Sequence, residues 1–239
     1  MQCVILAGGL GVRLRPITER IPKALVEVAG HPFADHQLAW LSAQRIDRVT
    51  YCIGYLGKLI QDFVGDGGRW GLNVSYASEG DHLLGTAGAL RLALDAGLLD
   101  EAFFILYGDS YLPIPFAPVW QAAQDGPGAL MTVFHNQGRW DQSNVIFKDG
   151  WVNLYEKGRR GESAREMTHI DYGLSVLSRK EVEDAVPSGQ ILDLADVFHR
   201  LSLAGRLKGF EVTERFFEVG SSVGIQDLED YLAASKTAP

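Results

Sequence analysis

The sequence has few cysteines, no long apolar run and no excess of basic residues. Only two of its 239 residues are cysteine, which is too few for a disulfide framework. Cys3 and Cys52 lie in short apolar stretches, where a thiol is usually buried and unreactive. No stretch approaches the roughly 20 apolar residues of a transmembrane helix, and the N-terminus lacks the features of a signal peptide. We therefore expect a cytoplasmic protein without membrane contact.

The charge balance is acidic. Lys and Arg total 22 against 30 Asp and Glu, which gives a formal net charge of −8 at pH 7. Such a chain is a poor general binder of nucleic acid or of an anionic membrane. It can bind a polyphosphate only where cations and backbone N–H groups are concentrated locally, so the search for a site begins with such a cluster.

Strands and helices alternate in the first half of the chain. Apolar or alternating stretches predict strands at residues 3–7, 49–54, 72–76 and 103–107. Helical periodicity predicts helices between them, at residues 32–45, 56–64 and 90–97. This order predicts an α/β fold with a mostly parallel sheet covered by helices on both faces. Such sheets bind ligands at the carboxyl ends of their strands.

The second half has a different pattern. Three prolines predict a loop over residues 113–118. Strands then follow one another at residues 129–134, 144–147, 151–155 and 170–177. Asp149-Gly150, between two of them, is a strong signal for a hairpin turn. Helices are predicted at about 192–203 and 223–234. Because no linker or internal repeat interrupts the chain, we expect one domain over residues 1–239 with antiparallel elements in its second half.

A glycine-rich loop directly follows the first strand. It reads LAGGLGVRLRPITERIPK, with glycines at positions 8, 9 and 11. Without side chains there, backbone N–H groups can surround an oxyanion, and Arg13 and Lys23 can add positive charge. Neither a Walker A loop nor a Rossmann dinucleotide fingerprint fits, because the later glycine of each pattern is missing. Hydride transfer and ordinary NTP hydrolysis therefore lose support.

The same segment resembles the signature of the sugar-1-phosphate nucleotidylyltransferases, or NDP-sugar pyrophosphorylases. That signature, L-A-G-G-x-G-x-R-L-x-P-x-T-x-x-x-P-K, is matched from Leu6 to Lys23. The likeness continues through Gly85-Thr86-Ala87-Gly88, Gly108-Asp109, Glu156-Lys157, Gly173 and Phe217-Glu218-Val219-Gly220. It is strongest to short guanylyltransferases for mannose or heptose 1-phosphate.

The resemblance implies a Rossmann-like sheet, an antiparallel acceptor-binding portion and one reaction. In that reaction NTP and a sugar 1-phosphate give an NDP-sugar and pyrophosphate. We expect a nucleotide-binding half at about 1–112 and a sugar-phosphate-binding half at about 113–239. The partners are therefore an NTP and a sugar 1-phosphate, with the oligomeric state left open and a homo-oligomer among the alternatives.

The resemblance and the residue chemistry together suggest the site. The predicted nucleotide-binding residues are Leu6, Ala7, Gly8, Gly9, Gly11, Glu79, Gly85, Thr86, Ala87 and Gly88. The predicted sugar-phosphate-binding residues are Gly108, Asn144, Glu156, Lys157, Asp171 and Gly173. The planar guanidinium of Arg13, with its several N–H donors, suits the departing β- and γ-phosphates. The ammonium group of Lys23, at the end of a long flexible side chain, suits the α-phosphate or the acceptor phosphate. These two cations are the predicted catalytic residues.

Mg²⁺ is the expected cofactor, because it takes oxygen ligands and commonly uses one or two protein carboxylates. Asp109, at the end of a predicted buried strand, is one expected ligand. Relatives carry a second in a W-x-D-x-G-T segment, which here reads FFEVGS and supplies Glu218. Glu218 still supplies a carboxylate, but its side chain is one methylene longer than that of aspartate. The geometry of metal binding at this position is therefore left open.

Glu79 favours guanine, whose adjacent N1–H and N2–H₂ donors a carboxylate can accept together. Short uridylyltransferases place a glutamate nearby as well, so UTP, dTTP and CTP stay open as alternatives, as does a small alcohol phosphate as acceptor. A catalytically silent regulatory homologue is a further alternative, although Arg13, Lys23 and Asp109 are all present. A glycosyltransferase of similar fold is disfavoured, because its D-x-D motif is absent from the strand end GDSY.

Overall fold

The computed structural model describes residues 1–80, 82–136, 138–140, 142–158 and 166–237. The strands are β1 (Gln2–Ala7), β2 (Glu27–Val28), β3 (His31–Pro32), β4 (Arg48–Ile53), β5 (Asn73–Ser78), β6 (Ala102–Tyr107), β7 (Ser110–Tyr111), β8 (Ala129–His135), β9 (Val145–Lys148), β10 (Trp151–Tyr155), β11 (His169–Ser178), β12 (Lys208–Val212) and β13 (Phe217–Glu218). The helices are α1 (Phe33–Ala43), α2 (Gly57–Val64), α3 (Gly85–Asp95), α4 (Phe116–Gln124), α5 (Arg179–Ala185), α6 (Leu194–Leu203) and α7 (Ser222–Thr237). Among the described residues, no helix has the length and apolarity to span a membrane.

One mixed sheet dominates the fold. Within the described ranges it has nine strands in the order β5-β4-β1-β6-β11-β8-β12-β10-β9. The strands β5, β4, β1 and β6 are parallel, whereas β11 runs antiparallel to β6 and β8. The α/β prediction is thus confirmed: the first half of the chain contributes the four parallel strands, and the second half contributes the antiparallel pairings together with one parallel pair, β8 and β12.

Strand β1 shows why the parallel strands are continuously apolar. Cys3 and Ile5 pack on one face against a core that includes residues of α1, α2 and α4. Val4 and Leu6 pack on the other face with residues of α3, α5 and α6. Helices therefore cover both faces, as predicted. Cys3 and Cys52 are free and buried, and burial raises the pKa of both thiols, as expected of structural cysteines.

The hairpin between β9 and β10 is also confirmed. Asp149 and Gly150 both have positive φ, at 53° and 82°. This is the backbone conformation of a type I′ turn, whose twist matches that of the flanking strands. The two strands pair antiparallel from Trp151↔Lys148 onward.

The proline-rich stretch and strand β12 differ from the sequence-based predictions. The proline-rich stretch was predicted as a loop, but α4 begins at Phe116; Pro118 is tolerated in its first turn, where backbone N–H groups have no intrahelical partner. Strand β12 was not predicted. It contains Gly209, where a Cβ would lie 2.5 Å from the Phe147 ring, so this glycine is needed for packing despite its low strand propensity.

The short helix α5 was also missed. It begins after Ser178, whose hydroxyl accepts a hydrogen bond from Glu181 N at 3.3 Å and so caps the helix. At seven residues it is too short for periodicity to reveal, although the Ser-x-x-Glu spacing of a capping box was a usable signal.

A reversal of strand order at β1 positions the site. From β1 the chain passes through α1 to β4 and through α2 to β5, all on one side of β1. It then returns through α3 to β6, on the other side of β1. The carboxyl ends of β1 and β6 consequently border a crevice at a topological switch point, where open α/β sheets bind ligands.

Candidate active site

A cavity of about 250 Å³ opens at the carboxyl ends of β1 and β6. Most of the predicted nucleotide-binding residues line it, namely Leu6, Ala7, Gly8, Gly9, Glu79, Gly85 and Thr86. Lys23, Gly108 and Asp109 line the same cavity. Residues from strand ends, loops and the start of α3, which are far apart in the sequence, therefore meet around one pocket.

Two adjacent glycines have different roles there. A Cβ at Gly8 would lie 2.5 Å from Oε2 of Glu79, whereas a Cβ at Gly9 would meet no atom within 4 Å. Gly8 therefore allows Glu79 to approach the loop. Gly9 leaves space at the cavity that a ligand can use.

Gly11 lies outside the cavity lining and shapes the loop. Its φ is 64°, a left-handed conformation that glycine adopts readily. Thr18 Oγ1 donates to the Gly11 carbonyl at 2.7 Å, and a Cβ at Gly11 would lie 2.8 Å from the Thr18 methyl. The glycine and the threonine of the signature thus hold each other in place.

Glu79 is half-buried beside the glycine-rich loop. Its Oε1 accepts a hydrogen bond from Leu84 N at 2.6 Å. Burial raises the pKa of the Glu79 carboxyl, and the Leu84 N–H opposes that shift. The carboxylate is held in a defined orientation at the cavity, where it can accept donors from a ligand.

The start of α3 is glycine-rich for a packing reason. Gly85 has φ 75°, and a Cβ there would lie 2.6 Å from Leu192 O. A Cβ at Gly88 would lie 2.7 Å from Gln190 O. Both glycines let the segment before α6 pack directly on α3. Ala87 and Gly88 are buried and are outside the set of residues that line the cavity.

Thr86 bonds to a neighbouring helix instead of capping its own. Its Oγ1 accepts from Leu194 N at 2.7 Å and donates to Asp193 Oδ1 at 3.2 Å. Asp193 also caps α6, because the same oxygen accepts from Ala195 N at 2.8 Å. Asp193 was not among the predicted site residues, although an aspartate before an apolar helix is a typical N-cap signal.

Each predicted catalytic cation lies beside one predicted metal ligand. Lys23 Nζ is 2.7 Å from Asp109 Oδ2, with both side chains 21% exposed. Arg13 Nη2 is 3.8 Å from Glu218 Oε2, with side chains 64% and 44% exposed. The first pair is close and sheltered, and the second is looser and open to solvent. A Cβ at Gly220 would lie 2.8 Å from Arg13 Nη2, so this glycine makes room for the guanidinium.

A two-stranded ladder brings the backbones of Asp109 and Glu218 close together. Strands β7 and β13 pair antiparallel, with Ser110 opposite Glu218. Val219 N donates to the Asp109 carbonyl at 2.9 Å. Backbone pairing therefore joins residues that are more than a hundred positions apart in the sequence.

A second cavity, of about 510 Å³, adjoins the first. The predicted residues that line it are Arg13, Asn144, Lys157, Asp171, Gly173 and Glu218. Tyr107 lines both cavities. Burial raises the pKa of the Tyr107 hydroxyl, and the charges of four surrounding carboxylates, on Asp171, Asp193, Asp109 and Glu218, add to that effect. The two cavities therefore share one tyrosine wall near the cation–carboxylate pairs.

A bulge in β11 arranges the second cavity. Asp171 N donates to Asn144 Oδ1, and Gly173 N donates to Asp171 Oδ1, both at 3.0 Å. Gly173 has φ 103°, within an irregular register against β8. Burial raises the pKa of Asp171, and the Lys157 charge is the largest opposing effect. Lys157 Nζ lies 5.9 Å from the Tyr107 ring centroid.

Glu156 lies directly after β10. Its backbone N–H donates to the Asn144 carbonyl at 2.9 Å. It is adjacent to Lys157 in the sequence but outside the set of residues that line the second cavity.

Arg215 lines the second cavity and was not predicted as a site residue. Its guanidinium lies 3.9 Å from the Trp140 ring and 4.9 Å from the Phe217 ring, and it forms an ion pair with Asp227. The available signal was its position three residues before Glu218.

The residues present fit Mg²⁺. Asp109, in the turn before β7, and Glu218, on the neighbouring strand β13, offer oxygen donors next to cations suited to phosphate. In the part of the chain that the structure describes, no group of three or more His, Cys, Asp or Glu side chains could hold an ion. Magnesium suits such a sparse set, because it takes its other ligands from phosphate and water.

One protein family matches more than half of this chain. The family described as nucleotidyl transferase matches residues 2–143, which include the glycine-rich loop and Asp109. The chain belongs to the nucleotidyl transferase family. The resemblance found in the signature segment is thus confirmed, and it extends well beyond that segment.

Relatives match over most of this nucleotidyl transferase. The N-acetylmuramate alpha-1-phosphate uridylyltransferase of Neisseria meningitidis serogroup B is 28% identical over 240 residues, or 99% of this chain and 100% of that protein. The probable mannose-1-phosphate guanylyltransferase 3 of Oryza sativa subsp. japonica is 38% identical over 224 residues, or 92% of this chain and 61% of that protein. The structure of HddC from Yersinia pseudotuberculosis complexed with GMP-PN has a TM-score of 0.77 and 26% identity, covering 97% of this chain and 99% of that one.

Proposed function

We propose that the protein transfers a nucleoside monophosphate from an NTP to a sugar 1-phosphate and releases pyrophosphate. GTP is the favoured nucleotide, and a heptose or mannose 1-phosphate is the favoured acceptor. The observation that carries the proposal is the arrangement of two adjoining cavities around Tyr107. The Lys23–Asp109 pair borders the first cavity, and the Arg13–Glu218 pair borders the second.

The first cavity suits the nucleotide. Backbone of the glycine-rich loop and the Glu79 carboxylate line it, and the space at Gly9 admits a ligand close to the backbone. In this proposal Glu79 accepts the N–H donors of guanine. The HddC structure with GMP-PN and the rice mannose-1-phosphate guanylyltransferase support guanine. The Neisseria relative supports UTP as the alternative.

The second cavity suits the sugar phosphate. Its wall combines Lys157 with Asn144 and Asp171, which suits a ligand that carries one phosphate and several hydroxyl groups. We propose that residues at about 1–112 hold the nucleotide and residues at about 113–239 hold the acceptor. The exceptions are Arg13, Tyr107 and Ser110, which come from the first half and line the second cavity.

The reaction brings two anions together, so charge neutralisation and alignment are the main tasks. An oxygen of the acceptor phosphate attacks the α-phosphorus, in line with the departing pyrophosphate. Arg13 binds the β- and γ-phosphates, and Lys23 binds the α-phosphate or the attacking phosphate. Asp109 and Glu218 would hold Mg²⁺, which supplies further neutralisation of phosphate charge when bound. Each cation then exchanges its carboxylate partner for phosphate.

The test is pyrophosphate release over a grid of NTPs and sugar 1-phosphates, with and without Mg²⁺. The proposal predicts release that needs both substrates and the metal, with the highest kcat/KM for GTP and a heptose or mannose 1-phosphate. The highest rate with UTP, dTTP or CTP would keep the transferase and reject the guanine preference. If every acceptor gave background release while an NDP-sugar bound tightly, a silent regulatory homologue would replace the enzyme.

A further inference from the structure

Gln37, in α1, bonds to both ends of the turn that carries Asp109. Its side chain is buried, with 1% exposed. Its Nε2 donates to Tyr107 O at 3.0 Å and to Ser110 O at 2.8 Å. Gly108 and Asp109 are the two residues between those carbonyls. One planar amide therefore sets the spacing between the end of β6 and the start of β7.

Other elements hold the same turn from different directions. Gly108 N donates to Leu6 O in β1, and Val219 N donates to Asp109 O, both at 2.9 Å. A Cβ at Gly108 would lie 2.8 Å from the Ala7 Cβ, so the turn already touches β1 and cannot move further in that direction. Gln37 supplies the contact from the helix side.

We infer that Gln37 is a positioning residue, which places the Asp109 carboxylate for the metal and for Lys23. Gln37 lines neither of the two cavities described above, so it acts through the turn and not by touching substrate. The inference rests on the proposed function, in which Asp109 holds Mg²⁺. Without the Gln37 amide, two backbone carbonyls lose their donor and the turn can relax. Misplacement by about 1 Å can lower an enzymatic rate by roughly 10²-fold.

Gln2 provides a matched control. It is also a buried glutamine, with 3% exposed. Its Nε2 donates to Leu98 O at 2.7 Å and its Oε1 accepts from Asp100 N at 2.7 Å. These contacts lie at the amino end of β1, whereas the turn with Asp109 follows the carboxyl end of β6. Loss of stability from removing a buried amide should therefore appear in variants of both glutamines. An effect on Asp109 should appear only in the Gln37 variant.

The experiment compares Gln37→Leu with Gln2→Leu in the full-length protein. Both should lower Tm, and Gln2→Leu should lower it more, because Gln2 also bonds to Thr50 Oγ1 whereas the Oε1 of Gln37 is buried without a partner among the described residues. Gln37→Leu should also lower kcat by about tenfold or more and raise the Mn²⁺ concentration for half-saturation of the GTP complex, measured by electron paramagnetic resonance without turnover. Amide hydrogen exchange at Gly108 and Val219 should accelerate in Gln37→Leu only. If Gln37→Leu fails to fold, Gln37→Asn against Gln2→Asn is the substitute, because the shorter amide cannot reach both carbonyls.

Two results would overturn the inference. One is an equal loss of kcat and of Mn²⁺ affinity in the Gln37 and Gln2 variants. The other is unchanged exchange at Gly108 and Val219 in the Gln37 variant. Asp109→Asn is the separate arm for the proposed function. If it kept wild-type activity and Mn²⁺ affinity, the metal role of Asp109 would fail, and with it the basis for assigning a metal-positioning role to Gln37.

Discussion

The ammonium of Lys23 lies 2.7 Å from the Asp109 carboxylate, across 86 positions of sequence. The contact exists because β1 and β6 are parallel neighbours, so that the loop after one strand meets the turn after the other. Both side chains are only 21% exposed, which strengthens their attraction compared with a surface pair. In the proposed reaction this pair must separate, since phosphate takes the lysine and Mg²⁺ takes the aspartate.

Removal of either predicted catalytic cation should impair activity more than stability. Arg13→Ala and Lys23→Ala should each lower kcat/KM for pyrophosphate formation by roughly 10²-fold or more, because each removes charge that acts on the transition state. Lys58→Ala is the control, since Lys58 is 75% exposed and pairs with Asp62 on α2. Tm should change little in Arg13→Ala and Lys58→Ala, and should fall somewhat more in Lys23→Ala, which leaves the sheltered Asp109 carboxylate without its partner. A large loss of Tm with activity retained would make Arg13 or Lys23 structural.

Glu218 provides a test of the second metal ligand. Glu218→Gln should raise the Mg²⁺ concentration for half-maximal rate and lower kcat, with little change in the KM for the sugar phosphate. Glu218→Asp should be tolerated, because aspartate is the residue implied at this position by the family signature. Magnesium titrations of the three proteins provide the measurement. Full activity of the Gln variant at limiting Mg²⁺ would leave Asp109 as the only metal-binding carboxylate in the proposal.

Glu79 provides a test of the base. Glu79→Gln keeps an oxygen for the Leu84 N–H but places amide donors where guanine also has donors. Its kcat/KM for GTP should fall by about tenfold, as expected when a buried hydrogen-bonding group loses its partner, while the Mg²⁺ requirement changes little. A wild-type preference for UTP or dTTP would make the guanine assignment wrong whatever the variant does.

The two loop glycines should respond differently to the same added methyl group. Gly9→Ala should fold with an unchanged Tm, because the new Cβ meets no atom within 4 Å. It should raise the KM for the nucleotide by about tenfold, which corresponds to about 1.4 kcal/mol. Gly8→Ala should displace the Glu79 carboxylate, whose Oε2 would lie 2.5 Å from the new Cβ, and so lower kcat/KM for GTP as Glu79→Gln does. Equal nucleotide KM in Gly9→Ala and wild type would show that the ligand does not use this space.

Asp171 should make stability depend on pH in a specific direction. Burial raises the pKa of Asp171 in the folded protein, so the folded state binds its proton at higher pH than the unfolded state does. The free energy of unfolding should therefore decrease as pH rises from the ordinary aspartate pKa, near 4, through the raised pKa. Asp171→Asn should remove this decrease while its Oδ1 still accepts from Gly173 N. Urea denaturation at several pH values measures the free energy of unfolding of the wild type and of Asp171→Asn. The prediction is contradicted if this free energy changes with pH in the same way in both proteins.

The elements that were predicted well from the sequence are those whose characteristic pattern lies within a few consecutive residues. Strand β1 is apolar throughout because both of its faces are buried, and Asp149-Gly150 has the residues that a type I′ turn requires. Strand β12 shows the opposite case. Its glycine reads as a poor strand residue, and only the Phe147 ring packed against it explains why that residue must be small.

The candidate site also combines features that are local in the sequence with contacts that only the tertiary structure creates. The sequence alone pointed to the glycine-rich loop and to the charged residues as candidates, because a motif of glycines and cations is local and its chemistry depends on residue type. It did not reveal that Lys23 meets Asp109, that Arg13 meets Glu218, or that Gln37 holds the turn between them. Those contacts depend on the strand order around β1 and on the register of β7 with β13. Long-range pairing sets both, so no short segment of the chain encodes them.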